Sequence, residues 1–302
     1  MNRSLIGRTA LVTGGTDGIG KEIARGLAAR GARLIVVGSN SDKGRLVERE
    51  LRDGAGHDNV HFLQADLSLM REVNRLAGAI EARCGRLHYL VHSAGIVRGR
   101  HTLTAEGVES NFAAGYLSRF ALTGRLLGLL ERSGEAGAAA RILFISGAAR
   151  GGKIHYEDVN LTRNFGLLRM IWQLCEANDV FVVEQARRLA EAGLDSRVII
   201  SALKVGVVRT NIRREFPFWM RALATLVFDP FLAQTAMAVA ENALRLLVSP
   251  EFENASGELF VQIKRFKHVT PEARTSDPAE GHRLWDLSLR LADPVRYLRS
   301  SA

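Results

Sequence analysis

The segment Thr13-Gly14-Gly15-Thr16-Asp17-Gly18-Ile19-Gly20 constrains this chain more than any other. It follows a short apolar run, 9–13, and opens a segment of helical pattern, 18–30. Three glycines in a strand–turn–helix passage do three jobs. Gly14 permits the tight turn, Gly18 lets backbone amides approach a bound group, and Gly20 lets the helix pack near the strand. The helix N-terminus then presents unpaired amides and the positive end of its dipole, which suits a diphosphate. The pattern predicts a dinucleotide site lined by Gly14, Thr16, Asp17, Gly18, Ile19 and Gly20.

The rest of the chain carries the same alternation. Apolar runs recur at 33–38, 61–63, 87–92, 141–146 and 198–203, with helical patterns between them. Buried runs alternating with helices predict an α/β fold: a Rossmann-type, doubly wound parallel sheet with helices on both faces. No repeat, low-complexity block or linker interrupts it, so a single domain is expected over 1–302. Two long apolar helical patterns, 109–131 and 167–192, either pair across a homodimer or lie buried within one chain. One segment, 211–228, breaks the alternation with Phe216-Pro217-Phe218-Trp219-Met220. In open α/β sheets ligands lie outside the carboxyl ends of the strands. The cluster therefore reads as a substrate lid, with Phe216 and Trp219 touching the substrate; ordinary helix packing is the alternative.

Composition excludes several classes. With 47% hydrophobic and 24% charged residues the chain is ordinary for a soluble globular protein. Its most apolar stretch, 223–248, contains Asp229, Pro230, Gln234 and Glu241, so it does not supply the roughly 20 apolar residues of a membrane span. A strand beginning at Thr9 leaves no room for a leader peptide. Cys84 and Cys175 form neither a disulfide framework nor a metal cluster. A cytoplasmic protein without metal is expected. The net charge of +9 comes from 41 basic residues, of which six are lysine, scattered with few aromatics between them. That reads as a solvated arginine-rich surface and not as a nucleic-acid interface.

The second strand ends Val36-Val37-Gly38-Ser39-Asn40. A carboxylate there would bind the ribose hydroxyls of NAD and repel a 2′-phosphate. None is present, and Ser39, Asn40 and nearby Lys43 can donate hydrogen bonds. The cofactor expected is NADP (NADPH) over NAD.

The spacing TGxxxGxG resembles the short-chain dehydrogenase/reductase family more than other Rossmann proteins. Asp66-Leu67-Ser68 looks like the family's acidic residue at the adenine. Val91-His92-Ser93-Ala94-Gly95 resembles its Asn-Asn-Ala-Gly strand end. Leu103-Thr104-Ala105-Glu106-Gly107-Val108-Glu109 and Leu284-Trp285-Asp286-Leu287-Ser288 resemble its retinol-dehydrogenase-like branch. Lys204-Val205-Gly206-Val207-Val208-Arg209-Thr210 is similar to its Pro-Gly-x-x-x-Thr segment beside the nicotinamide, with Val205 in the proline's place. The resemblance covers about residues 5–295. It implies that Asp66, Leu67, Ser93, Ala94, Gly95, Val208 and Thr210 also touch the cofactor.

The same resemblance exposes a gap. Family members carry an asparagine, a serine, a tyrosine and a lysine at the reacting carbon. Matched residue by residue, these positions fall on Gly115, Gly147, Ile171 and Cys175. No Tyr-x-x-x-Lys spacing exists anywhere in the chain. A placed general acid contributes typically ~10²–10⁴ in rate, so something must replace it.

Three readings follow. In the first, the protein is still a ketoreductase, and a hydroxyl beside the substrate ketone supplies the proton. Members of the family without the catalytic set occur among tailoring ketoreductases of aromatic polyketides in antibiotic biosynthesis, angucyclinones included, and this chain resembles them. Its substrate would then be a polycyclic aromatic polyketide, with Ser146, Tyr156, Phe216 and Trp219 around it. In the second, Tyr156, His155, Tyr116 or Lys204 is the acid. Against this, Lys153-Ile154-His155-Tyr156 reads as a surface hairpin, Lys204 as a residue near the surface, Tyr116 as core and His101 as solvated. In the third, the protein is a silent cofactor-binding sensor or partner, or a non-redox cyclase or dehydratase. Cys175 on an apolar helix reads as a small core residue. No side chain of this chain is assigned as catalytic.

Overall fold

The computed structural model describes residues 4–135, 137–206, 208 and 234–292. Strands β1 (Thr9–Thr13), β2 (Arg33–Gly38), β3 (Val60–Gln64), β4 (Tyr89–His92), β5 (Ala140–Gly147), β6 (Val198–Val205) and β7 (Glu258–Gln262) run parallel, and β8 (Phe266–Val269) closes one edge antiparallel to β7. They form one sheet in the order β3-β2-β1-β4-β5-β6-β7-β8. The order reverses direction between β1 and β4, and such a switch point opens a crevice at the carboxyl ends of the strands.

Strand periodicity distributes the core. Ala10, Val12, Leu34 and Val36 point to one apolar layer, and the intervening Leu11, Ile35 and Val37 to the other. Both faces are buried, which is why the central strands read as continuous apolar runs. One layer holds α1 (Gly18–Ala28), α2 (Ser41–Ala55) and α7 (Ala236–Val248). The other holds α3 (Met70–Glu81), α4 (Ser110–Phe112), α5 (Ser118–Glu131), α6 (Leu167–Glu191) and α8 (Pro278–Ala292).

Three differences from the sequence reading have physical causes. The helix expected over 109–131 is interrupted by a π turn at Ala113–Leu117. There Asn178 of α6 donates to the Gly115 carbonyl at 3.1 Å and the Ser118 hydroxyl donates to Ala114 O at 2.8 Å. Both pull carbonyls out of the regular ladder. Strands β7 and β8 were not expected, because each is short and β8 is a partly exposed edge. Tyr156 lies in a half-buried 3-10 turn, Tyr156–Asp158, and not in a surface hairpin. Part of the apolar stretch 223–248 is α7, which packs on α1. Among the described residues no helix is long and apolar enough to cross a membrane.

Candidate active site

The cofactor half of the site grows out of Thr13, the last residue of β1. Its hydroxyl donates to Val91 O at 3.3 Å and accepts from Ala94 N at 3.4 Å, and its carbonyl accepts from Ser93 N at 3.2 Å. These bonds tie the end of β1 to the end of β4. Gly14 follows with φ +67°, and a Cβ there would lie 2.7 Å from the Ala94 backbone. A Cβ on Gly20 would strike the Gly14 carbonyl. Only glycine lets turn, helix and strand end approach this closely. A Cβ on Gly95, by contrast, would meet only Arg119 Nη2 among the described residues, at 3.9 Å. The turn and the segment Ser93-Ala94-Gly95 thus meet at the switch point, with the N-terminus of α1 aimed between them. This cradle fits a dinucleotide.

The adenosine end is more occupied than the sequence suggests. Asn40 accepts from Lys43 N at 2.8 Å and caps α2, and the Lys43 ammonium pairs with Asp17. The Ser39 carbonyl accepts from Gln64 Nε2 at 3.0 Å. Asp17 also accepts from Gly18 N at 2.8 Å. A 2′-phosphate would therefore compete with Asp17 for Lys43. Asp66 accepts from Ser68 N at 3.0 Å and Ser68 Oγ at 2.7 Å, with Leu67 buried beside it. Thr16 sits against Gly38, and Ile19 packs on the α1 layer. Val208 is buried and bridges in parallel to Gln234. Thr210, Phe216, Trp219 and the expected lid, 211–228, lie outside the described residues.

The other half of the site brings together positions far apart in sequence. A Cβ on Gly147, at the end of β5, would lie 2.8 Å from Cys175 Sγ of α6. A Cβ on Gly115 would lie 2.9 Å from Leu174 Cδ2. Burial, together with the nearby Asp179 carboxylate, pushes the Cys175 thiol up. Ile171 is half-buried one turn before Cys175. Ser146 is buried, and its hydroxyl has no partner among the described residues.

One expectation for this half is corrected, the placement of Lys204 near the surface. Tyr156, expected against the substrate, donates to Glu280 O of α8 at 3.4 Å and stacks under the Arg283 guanidinium at 4.1 Å. Its loop folds onto α8, and burial pushes its hydroxyl well above the ordinary tyrosine range. Lys204, expected near the surface, is buried in an ion pair with Asp179 of α6. The packing of α6 across β6 covers it. Burial pushes the Asp179 carboxyl up to about 7 against the pull of Lys204. Of the remaining candidates, Tyr116 hydrogen-bonds Ser288 at 2.6 Å in the core and His101 Nε2 meets Asn160 O at 3.0 Å, while His155 is held through its backbone amide, which donates to Gln173 Oε1 at 2.9 Å.

The sequence reading missed Arg119 and Asn178. Arg119 Nη1 donates to Ile145 O at 2.9 Å and Asn178 Oδ1 at 3.2 Å, and Nη2 donates to Ala94 O at 2.8 Å. Asn178 donates in turn to Gly115 O. The available signal was an arginine on the buried face of an apolar helix, where a cation needs a reason to be.

Residues 8–156 match the family model described as short chain dehydrogenase. The chain is 32% identical over 288 residues to retinol dehydrogenase 12 of Bos taurus, spanning 95% of this chain and 87% of that protein. It is 31% identical over 266 residues to the polyprenol dehydrogenase of Homo sapiens, spanning 87% of this chain and 80% of that protein. Among solved structures, the Pseudomonas aeruginosa RhlG/NADP active-site complex shares the fold with a TM-score of 0.68 at 24% identity, over 86% of this chain and 96% of that one. A doubly wound sheet, a glycine cradle at its switch point and these relatives together make the chain a member of the short-chain dehydrogenase/reductase family of oxidoreductases.

Proposed function

We propose that the protein is an NADPH-dependent ketoreductase of aromatic polyketide tailoring, acting on a polycyclic, angucyclinone-like ketone whose own neighbouring hydroxyl supplies the proton. The observation that carries this reading is the contact between positions 147 and 175. The positions that the family resemblance assigns to serine and lysine hold a glycine and a buried thiol that share one space, and Leu174 fills the space beside Gly115. The position that the resemblance assigns to the proton-donating tyrosine holds Ile171, whose side chain has no proton to give. The nearby tyrosine hydroxyls are committed elsewhere: Tyr156 to α8 and Tyr116 to Ser288.

A nicotinamide dinucleotide held in the cradle would supply the hydride. The turn Thr13–Gly20 and the α1 amides would hold its diphosphate, Asp66 and Leu67 its adenine, and Ser93, Ala94 and Gly95 the ribose next to the ring. Val208, buried and bridged to Gln234, would flank its far side. NADPH is preferred because the end of β2 offers no carboxylate to repel a 2′-phosphate, and Lys43 stands one ion pair away. Ser146, buried and unpartnered among the described residues, orients the ketone oxygen. The missing acid corresponds to about 3–5.5 kcal/mol of barrier. A phenol already hydrogen-bonded to the ketone supplies this intramolecularly, since well-placed internal groups act at effective molarities on the order of 10⁵ M or more.

A second reading follows from the relatives. Likeness to a retinol dehydrogenase over 95% of the chain favours an apolar alcohol or carbonyl compound of the retinoid or polyprenoid kind. One panel separates the two. Purified protein is incubated with NADPH and ketones with and without an ortho or peri hydroxyl, together with retinal-like polyene aldehydes, and absorbance of the reduced cofactor is followed. Turnover confined to hydroxyl-bearing ketones is expected. Equal turnover of ketones lacking the hydroxyl sinks substrate assistance, turnover of polyene aldehydes alone supports the second reading, and binding without any turnover leaves a cofactor sensor.

A further inference from the structure

Arg119 is a cation where a fold of this kind has little use for one. It lies on α5, 5% exposed, with its guanidinium held at 2.8–3.2 Å by Ala94 O, Ile145 O and Asn178 Oδ1 and set 5.6 Å from the centre of the Phe144 ring. Its Nε finds no partner, and no carboxylate pairs with it among the described residues. Burying an unpaired charge is costly, and three neutral oxygens solvate it without cancelling it. Burial lowers its guanidinium to about 10, so it stays protonated at neutral pH.

The location of this charge is specific. Ala94 belongs to the strand end that meets the glycine turn, and a Cβ added to Gly95 would lie 3.9 Å from Nη2. Ile145 immediately precedes Ser146 and Gly147 at the end of β5. The guanidinium therefore underlies the floor of the cradle between the ends of β4 and β5, beneath its nicotinamide side. This placement rests on the dinucleotide reading proposed above.

We infer that Arg119 is a fixed cation that makes the cradle discriminate between the two redox states of the dinucleotide, binding NADPH more tightly than NADP⁺. The two forms carry identical phosphates, so the attraction of Arg119 for those charges cancels in the ratio of affinities. They differ by one positive charge on the nicotinamide ring. That charge is repelled by a guanidinium which its hydrogen bonds hold in place and which the surrounding protein screens less than solvent would. The oxidised cofactor is thereby easier to release. By linkage, each tenfold in the affinity ratio raises the potential of the bound couple by about 30 mV.

The test is a pair of dissociation constants, for NADPH by fluorescence titration and for NADP⁺ by calorimetry, measured on the wild type, Arg119→Lys and Arg119→Gln. The lysine keeps the charge; the glutamine keeps a donor for the carbonyls and removes the charge. The wild type is expected to show a Kd ratio on the order of tenfold in favour of NADPH, the scale of one charge acting through a protein interior. Arg119→Lys retains most of that ratio, and Arg119→Gln brings it toward one even where both affinities weaken. A merely structural role weakens both alike and leaves the ratio unchanged in Arg119→Gln, which overturns the inference. A wild-type ratio near one overturns it without any variant, so a variant that fails to fold does not protect it. If neither dinucleotide binds the wild type, the reading under Proposed function falls and takes this one with it; binding at a ratio of one removes this inference alone.

Discussion

At the scale of single residues, Gly147 and Cys175 are one structural choice made at two positions. The sulfur occupies space that a side chain at 147 would claim, with the added Cβ only 2.8 Å from it. Overpacking of this kind typically costs about 1–3 kcal/mol. Gly147→Ser is therefore expected to lower stability by that order, and Gly147→Ser combined with Cys175→Ala to recover most of the loss. Urea unfolding of the two single variants and the double variant measures the coupling, which should exceed about 1 kcal/mol because the residues share one space. Simple additivity of the two single effects would show that they do not. Restoring a serine here is thus a packing problem before it is a catalytic one.

At the scale of elements, α6 and β6 are joined by a charge pair buried on both sides. Lys204 and Asp179 have side chains 5% exposed each. Charge pairs taken out of water contribute little net stability, but breaking one strands a charge. Asp179→Ala, leaving the Lys204 ammonium alone in the core, is expected to cost about 3–5 kcal/mol. Asp179→Ala with Lys204→Met should regain most of this, since an apolar pair needs no partner. Guanidinium denaturation of the three proteins checks the order; a double variant no more stable than Asp179→Ala would mean that the pair acts through something other than mutual neutralisation. The same helix carries Asn178, whose bond to Gly115 O holds the π turn between α4 and α5. One face of α6 thus shapes β6, the π turn and the 147–175 contact together.

At the scale of the whole molecule, acid acts through the centre of the sheet. His88, just before β4, is buried, accepts from Thr9 N at 3.0 Å, and is held down to about 4 by burial and by nearby arginines. His92, at the end of β4, is buried against Thr123 and is held well below its ordinary value by burial and by Arg119. Both are neutral in the fold and take up protons in the unfolded chain below about pH 6.5. A depressed folded value means that the stability each contributes is complete above pH 6.5 and is lost as pH falls toward the folded value. The net charge of +9 grows on acidification and adds self-repulsion. Asp179, with its raised carboxyl, works the other way, so the single-residue effect is read as a difference. The stability advantage of the wild type over His88→Gln should shrink as pH falls from about 6.5 to about 4, followed by urea midpoints at stepped pH. A difference that stays flat across that window would place the acid response elsewhere.

The sequence by itself determined the cradle, the alternation of strands and helices, and the absence of a Tyr-x-x-x-Lys spacing. These depend on neighbours within a few residues: glycine's access to positive φ at Gly14, the caps of α1 and α2, and the two-residue period that sends Leu11 one way and Val12 the other. Strands β7 and β8 escaped it because four or five residues carry too short a period to read. Only the tertiary structure decided that Lys204 is buried, that Tyr156 turns to α8, that Gly147 and Cys175 touch, and that Arg119 lies under Ala94. In each case the deciding partner comes from another element, Asp179, Glu280, Cys175 or the end of β4. The burial of a charge or the direction of a hydroxyl follows from what stands opposite it across a packed interface, which local pattern does not record.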